Sequence, residues 1–189
     1  MKNTLLNLFT IIFLGSFCLI LFKTANSHDK TPKIPLNSLK TIDDDAKFNK
    51  EFSGIAKVID GDSIKVGKNE ARLLGIDAPE YKQTCFTKNQ KEYHCGKISS
   101  HFLRKLAHNK HVKCLYYEKD VYNRFLSKCF LGKVSLNKEL VKNGMAVIYD
   151  FSTSSPEMNH LESTAKKQKI GIWQGPFQLP KDYRRSNKR

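Results

Sequence analysis

The stretch IAKVIDGDSIKV (residues 55–66) decides the fold. Two runs rich in β-branched residues meet at Asp60-Gly61. Asp-Gly between alternating apolar residues is the strongest short-range signal for a β-hairpin. In the second run, alternation places Asp62, Ile64 and Val66 on one face. Ile64 and Val66 suit a core, so Asp62 extends an inward-facing row to the end of the sheet. A carboxylate there costs desolvation unless a cation compensates it. The next strand is ARLLGIDAPE (residues 71–80), expected to carry Arg72, Leu74 and Ile76 on one face and to end at Asp77. Pro79 biases Ala78 away from helix and fixes a turn that can project Asp77 and Glu80 to one side. Two aspartates plus a backbone carbonyl form a hard oxygen set, suited to calcium and not to zinc. A plainer reading has Arg72 pairing with Asp77 or Glu80 while Asp60 and Asp62 merely serve turns.

Outward from this pair of strands, HVKCLYY and RFLSKCFL read as a fourth and fifth strand around a turn at residues 120–123. GKISSHFLRKLAHN carries Ile98, Phe102, Leu103 and Leu106 at helical spacing. SLNKELVKNG reads as a second helix capped near Ser135 or Asn137 and ended by Gly144. SPEMNHLESTAKKQKIG starts a third, with Ser155 as cap, Pro156 in the first turn and lysines at its end. Five strands with three helices predict an α+β fold, a small five-stranded barrel of the oligonucleotide-binding (OB) type with helices packed alongside. Residues 28–50 are polar, carry two prolines and no periodicity, and read as a linker. Residues 176–189 read as a basic, mobile tail, which leaves 51–175 as the domain.

The N-terminus sets the compartment. Lys2 precedes an apolar run over residues 5–22, and Ala25 and Ser27 stand before a candidate cleavage point at His28. Residues 1–27 therefore read as a signal peptide or, left uncut, a membrane anchor. Either way the domain is expected to be exported, secreted or periplasmic. The 189-residue chain has a formal charge of +15. Removing residues 1–27 takes two lysines and no acid, leaving +13. Such a balance favours a polyanionic partner, whether nucleic acid, anionic lipid or acidic glycan. Four cysteines follow the leader, and in an oxidising compartment local pairing favours Cys85–Cys95 and Cys114–Cys129. A zinc site at Cys85, His94 and Cys95 is the alternative, although finger-type ligand spacing is missing.

VIDGDSIKV, ARLLGIDAPE and DVYNRFLSKC, in this order and spacing, resemble the signature of the staphylococcal-nuclease (thermonuclease) family. The resemblance runs from about residue 54 to residue 173. It implies a five-stranded barrel with three helices and a calcium-dependent phosphodiesterase acting on DNA and RNA. By position, Asp62, Asp77 and the Ala78 carbonyl would hold calcium. Glu80 would serve as general base or place the attacking water, and Arg72 and Arg124 would grip the scissile phosphate. Arginine suits that role because its planar fork meets two phosphate oxygens at once. Tyr149, with Tyr122 as the second candidate, would contact the nucleotide. Two positions depart from the family pattern: Val121 and Asn123 replace a basic residue and a glycine beside Tyr122. Asn123 can still adopt the left-handed backbone a glycine would supply.

Nothing visible in the sequence demands more than a monomer, and the resemblance thus implies a nuclease with DNA and RNA as substrate. Its rivals are a non-catalytic nucleic-acid-binding barrel at the cell envelope and an envelope-tethered protein whose lysines meet anionic lipid. A nuclease would keep its activity when residues 28–50 and 176–189 are trimmed.

Overall fold

The computed structural model describes residues 48–149 and 154–187. The leader or anchor at 1–27 and most of the linker lie outside the described residues. Among those described, no helix is long and apolar enough to cross a membrane.

The hairpin predicted at Asp60-Gly61 is formed by β1 (Lys50–Val58) and β2 (Ser63–Val66), with Val58 opposite Ile64 and Ala56 opposite Val66. β1 starts within the stretch read as linker. β2 pairs with β3 (Asn69–Leu73), while β7 (His111–Lys119) lies on the other side of β1 and carries β8 (Phe125–Leu131). A parallel pairing of β3 with β8, Arg72 opposite Leu126, closes these five strands into a barrel. Closure removes the open edges that would otherwise present unpaired backbone groups. Inward positions alternate as expected: Ala56, Ile64, Ala71, Leu73, Val112, Cys114 and Cys129 are wholly or almost wholly buried. Cys114 and Cys129 face each other across the ladder and form a disulfide.

The short strands β4 (Ile76–Asp77) and β10 (Val147–Ile148) pair outside the barrel sheet, and β9 (Val134–Ser135) extends β8. The three predicted helices are α1 (Cys95–Ala107), α2 (Leu136–Lys142) and α3 (Pro156–Gln168). Ser135 Oγ accepts a hydrogen bond from Lys138 N, and Ser155 Oγ from Met158 N, so both serine caps are made. Such caps contribute about 1 kcal/mol each. The helices bury Leu103, Leu136, Leu140 and Val141 against the barrel, each worth about 1.5–3 kcal/mol of apolar transfer.

Three features differ from the sequence expectation. β5 (Cys85–Phe86) and β6 (Glu92–Tyr93) form a small hairpin closed by the Cys85–Cys95 disulfide, which occupies the thiols a zinc ion would have needed. β3 stops at Leu73, and a turn at Gly75 (φ 77°) separates it from Asp77. Within β3 Arg72 alternates with buried Ala71 and Leu73 as expected, but because the strand stops there the expected Arg72-Leu74-Ile76 row is not formed. Finally, the segment read as a mobile tail contains a fourth helix, α4 (Pro180–Ser186), after a 3₁₀ turn at Gly171–Gln174. Phe86 N donates to Pro176 O and Gln83 Nε2 to Gln178 O, which ties this segment to the hairpin and to the turn after Glu80.

Candidate active site

One mouth of the barrel opens into a cleft of about 920 Å³ lined by Asp62, Arg72, Glu80, Arg124, Tyr122 and Tyr149, among others. The two aspartates reach it by different routes. Asp62 ends the inward row of β2 and is 3% exposed. Asp77 is 1% exposed, held in β4 opposite Val147. A close approach joins the routes: Ala78 N donates to Asp62 Oδ2 at 2.7 Å. Gly61 permits this, because a Cβ there would meet Ala78 Cβ at 2.7 Å and Ser99 Oγ at 2.9 Å.

Glu80 follows Pro79 on the same rim. Its backbone N donates to Gln83 Oε1 at 3.1 Å and its carbonyl accepts from Gln83 N at 2.7 Å. Gly96, second residue of α1, packs so tightly on the Glu80 carbonyl that any Cβ would displace it. Gly96 N also donates to Gln83 O at 3.3 Å. The 80–83 turn is thus held by the start of a helix whose first residue, Cys95, is covalently stapled to Cys85.

Of the two predicted arginines, Arg72 contacts the site aspartates directly, and Arg124 stands beside them on the cleft. Arg72 forms ion pairs with Asp62 Oδ1 and, at 2.9 Å, with Asp77 Oδ1. Burial pulls its pKa below the usual value, with Asp77 opposing that effect. Arg124 is positioned by the turn before β8. Asp120 Oδ1 accepts from Tyr122 N and Arg124 N, both at 2.9 Å, and Asp120 Oδ2 accepts from Arg124 Nε at 2.8 Å. Burial alone would raise the Asp120 carboxyl, yet these bonds from Arg124 and Tyr122 hold it below the ordinary aspartate value. Asn123 adopts φ 65°, so the replacement for glycine keeps the left-handed turn. Arg124 Nη1 approaches Ser63 Oγ at 3.4 Å, and Ser63 Oγ donates to Asp62 Oδ1 at 3.3 Å. Asp60 Oδ1 accepts from Asp62 N at 3.0 Å, the turn role allowed for it.

Tyr149 and Tyr122 are 59% and 77% exposed at the cleft. Tyr149 N donates to Gly75 O at 3.0 Å, and the Arg124 guanidinium lies 5.4 Å from the Tyr122 ring centroid. Large exposed rings beside fixed cations suit a stacked base next to a phosphate. Seven of the eight predicted site positions line this cleft, and the eighth, Asp77, is ion-paired to Arg72 beside it.

Sequence reasoning missed Arg184. From α4 its Nη1 donates to Asp77 Oδ1 at 2.9 Å and Glu80 Oε1 at 2.8 Å, and its Nη2 to Asp77 Oδ2 at 3.0 Å. The bonds to Asp77, then that to Glu80, raise its pKa further above an already high value. The signals were Pro180 at a helix start, Asp182 in the first turn and basic residues in the last. Asp120 as the clamp on Arg124 was likewise not singled out.

Among the described residues, no group of three or more His, Cys, Asp or Glu side chains forms a ready cation cage. The donor chemistry nevertheless fits a hard divalent ion. Asp62 and Asp77 are buried carboxylates that share the Arg72 guanidinium, and Arg184 pairs with Asp77 as well. Buried carboxylates require a cation there, and oxygen donors suit calcium.

Comparisons with known proteins agree with this geometry. A family model described as staphylococcal nuclease homologue matches residues 70–175. The chain is 34% identical over 132 residues to the succinoglycan biosynthesis protein ExoI of Rhizobium meliloti (strain 1021), covering 68% of each chain. It is 30% identical over 131 residues to an uncharacterized endonuclease of Escherichia coli O157:H7, covering 67% of this chain and 79% of that one. It is 31% identical over 134 residues to the thermonuclease of Staphylococcus hyicus, covering 66% and 77%. With the barrel, the paired aspartates and the two arginines in place, the chain belongs to the staphylococcal nuclease homologue family.

Proposed function

We propose that this protein is an exported, calcium-dependent phosphodiesterase that hydrolyses DNA and RNA with little sequence preference. The observation that carries the reading is that Asp62, Glu80, Arg72 and Arg124 line one cleft, with Asp77 held by Arg72 beside them. Endonuclease and thermonuclease are the names borne by relatives covered over most of their length. Asp62, Asp77 and the Ala78 carbonyl would hold calcium. When bound, that ion supplies Lewis-acid stabilisation of charge on the phosphoryl oxygens.

The chain's own groups do the rest. Glu80, 41% exposed at its side chain, accepts a proton from a water placed on the open side of the cleft. Arg72, from a barrel strand, and Arg124, from the turn before β8, approach the phosphate and neutralise the charge that builds as the water oxygen attacks. The barrel fixes both donors before substrate arrives, so little reorganisation is required during the reaction. The exposed tyrosines offer stacking without reading base edges, which supports weak sequence preference.

The test is a calcium-titrated hydrolysis assay on DNA and RNA. Activity is expected with calcium and lost with chelator, and Glu80→Gln is expected to lower kcat by about 10²-fold or more. Full hydrolysis in chelator overturns the metal assignment, and near-native turnover by Glu80→Gln overturns the role of the glutamate.

A further inference from the structure

Arg184 lies beyond residues 70–175, the extent of the family match. It nevertheless makes three hydrogen bonds to the two carboxylates that matter most to the proposed chemistry. Its fork spans both oxygens of Asp77, at 2.9 and 3.0 Å, and one nitrogen bridges on to Glu80 at 2.8 Å. Arg72 Nη2 donates to Asp77 Oδ1 as well. Asp77 is 1% exposed, so a cation reaching it must take the place of a guanidinium.

The two guanidiniums are unequally held. Arg72 is 18% exposed at its side chain and stands on a barrel strand that closes the sheet. Arg184 is 39% exposed and stands on a seven-residue helix outside the barrel. Helices this short are marginal without tertiary support. Charge points the same way. Asp62, Asp77 and Glu80 bring three formal negative charges against two arginines, a net of minus one. Exchanging Arg184 for a divalent ion brings the cluster to neutrality, whereas adding the ion beside both arginines leaves an excess positive charge in a buried site.

Building on the calcium reading above, we propose that Arg184 is a built-in competitor for calcium. The ion and the docked α4 helix exclude one another at Asp77 and Glu80. Calcium binding therefore releases Arg184 from both carboxylates, frees Glu80 to face water, and loosens α4. The residue sets the calcium affinity of the site, so trimming residues 176–189 is not neutral to it.

The experiment titrates calcium chloride into the full chain and into Arg184→Gln by calorimetry, with amide exchange of residues 180–186 followed in parallel. Losing the competing charged bonds is expected to tighten calcium binding by about tenfold. In the unsubstituted protein, calcium is expected to accelerate exchange throughout α4. Equal, measurable calcium affinity in the two proteins overturns the competition while leaving the calcium site standing, and so does slower exchange of α4 on adding calcium. No calcium heat from either protein overturns the metal assignment and the competition together. Should Arg184→Gln fail to fold, Arg184→Lys takes its place, since it keeps the charge and loses the fork. Affinity tighter than the unsubstituted protein supports the proposal, and unchanged affinity overturns it.

Discussion

Asn137 offers the sharpest test of how the barrel positions the site. Its side chain is 5% exposed and sits in the first turn of α2. Asn137 Oδ1 accepts from Cys129 N at 3.0 Å, while Nδ2 donates to Leu74 O at 3.0 Å and to Ser127 O at 3.2 Å. One amide thus ties α2 to the last barrel strand and to the turn that leads into Asp77. Cys114 and Cys129 face each other with Cα atoms 4.1 Å apart, the narrow spacing of a pair that exchanges no backbone bonds. The Cys129 N–H therefore points away from β7 and depends on Asn137. Ser127 O also accepts from Leu74 N at 2.9 Å and would keep a partner. Asn137→Ala strands two groups, the Cys129 N–H and the Leu74 carbonyl. At about 1–3 kcal/mol for the buried Cys129 N–H, with a smaller addition for the part-buried Leu74 carbonyl, the loss is about 3 kcal/mol. For a domain of this size that lowers the melting temperature by about 10 °C. Denaturant unfolding followed by near-ultraviolet circular dichroism measures it. Asn137→Asp keeps an acceptor for Cys129 but sets an oxygen against two carbonyls, so it should destabilise at least as much as alanine at neutral pH. A loss below about 1 kcal/mol for alanine, or native stability for aspartate, would refute the accounting.

Two further outcomes are expected. The Cys114–Cys129 bridge spans 15 residues, so replacing both cysteines by alanine should cost about 3 kcal/mol of unfolding free energy by the loop-entropy relation, readable as a lower denaturant midpoint. Asp120 has a folded pKa below its ordinary 3.8, so its stabilising effect is complete above that pH and disappears as pH falls through the folded value. Asp120→Asn should therefore unfold with a flatter pH dependence below about pH 4 than the unsubstituted chain, and matching acid profiles would remove Asp120 as the clamp on Arg124.

Much of this was legible because it depends on local rules. The Asp60-Gly61 hairpin, the inward position of Asp62 and both serine caps follow from alternation and turn chemistry within a few residues. The cysteine pairs were also readable, since one lies across a ladder and the other closes a loop of ten residues. The row from Arg72 through Leu74 to Ile76 was misread because the turn at Gly75 ends the strand before Asp77, and period-two reasoning cannot carry through a turn. β5 and β6 are two residues each, too short to show a period. Arg184 meets Asp77 across 107 residues of sequence, and no spacing rule reaches that far. Its helix-start signals were present, but a run of cations near a chain end reads as a solvated tail until something acidic is found beside it.

The parallel pairing of β3 with β8 has a consequence for how such a catalyst can fail or be redesigned. Arg72 lies opposite Leu126, two residues past Arg124, so the backbone rungs of this seam rule where Arg72 stands against the start of β8, while the Asp120-held turn sets Arg124. Lengthening a surface connection would leave that ruler intact. Prising the seam apart would separate the two arginines in a single event, which ties loss of the proposed catalyst to loss of the barrel.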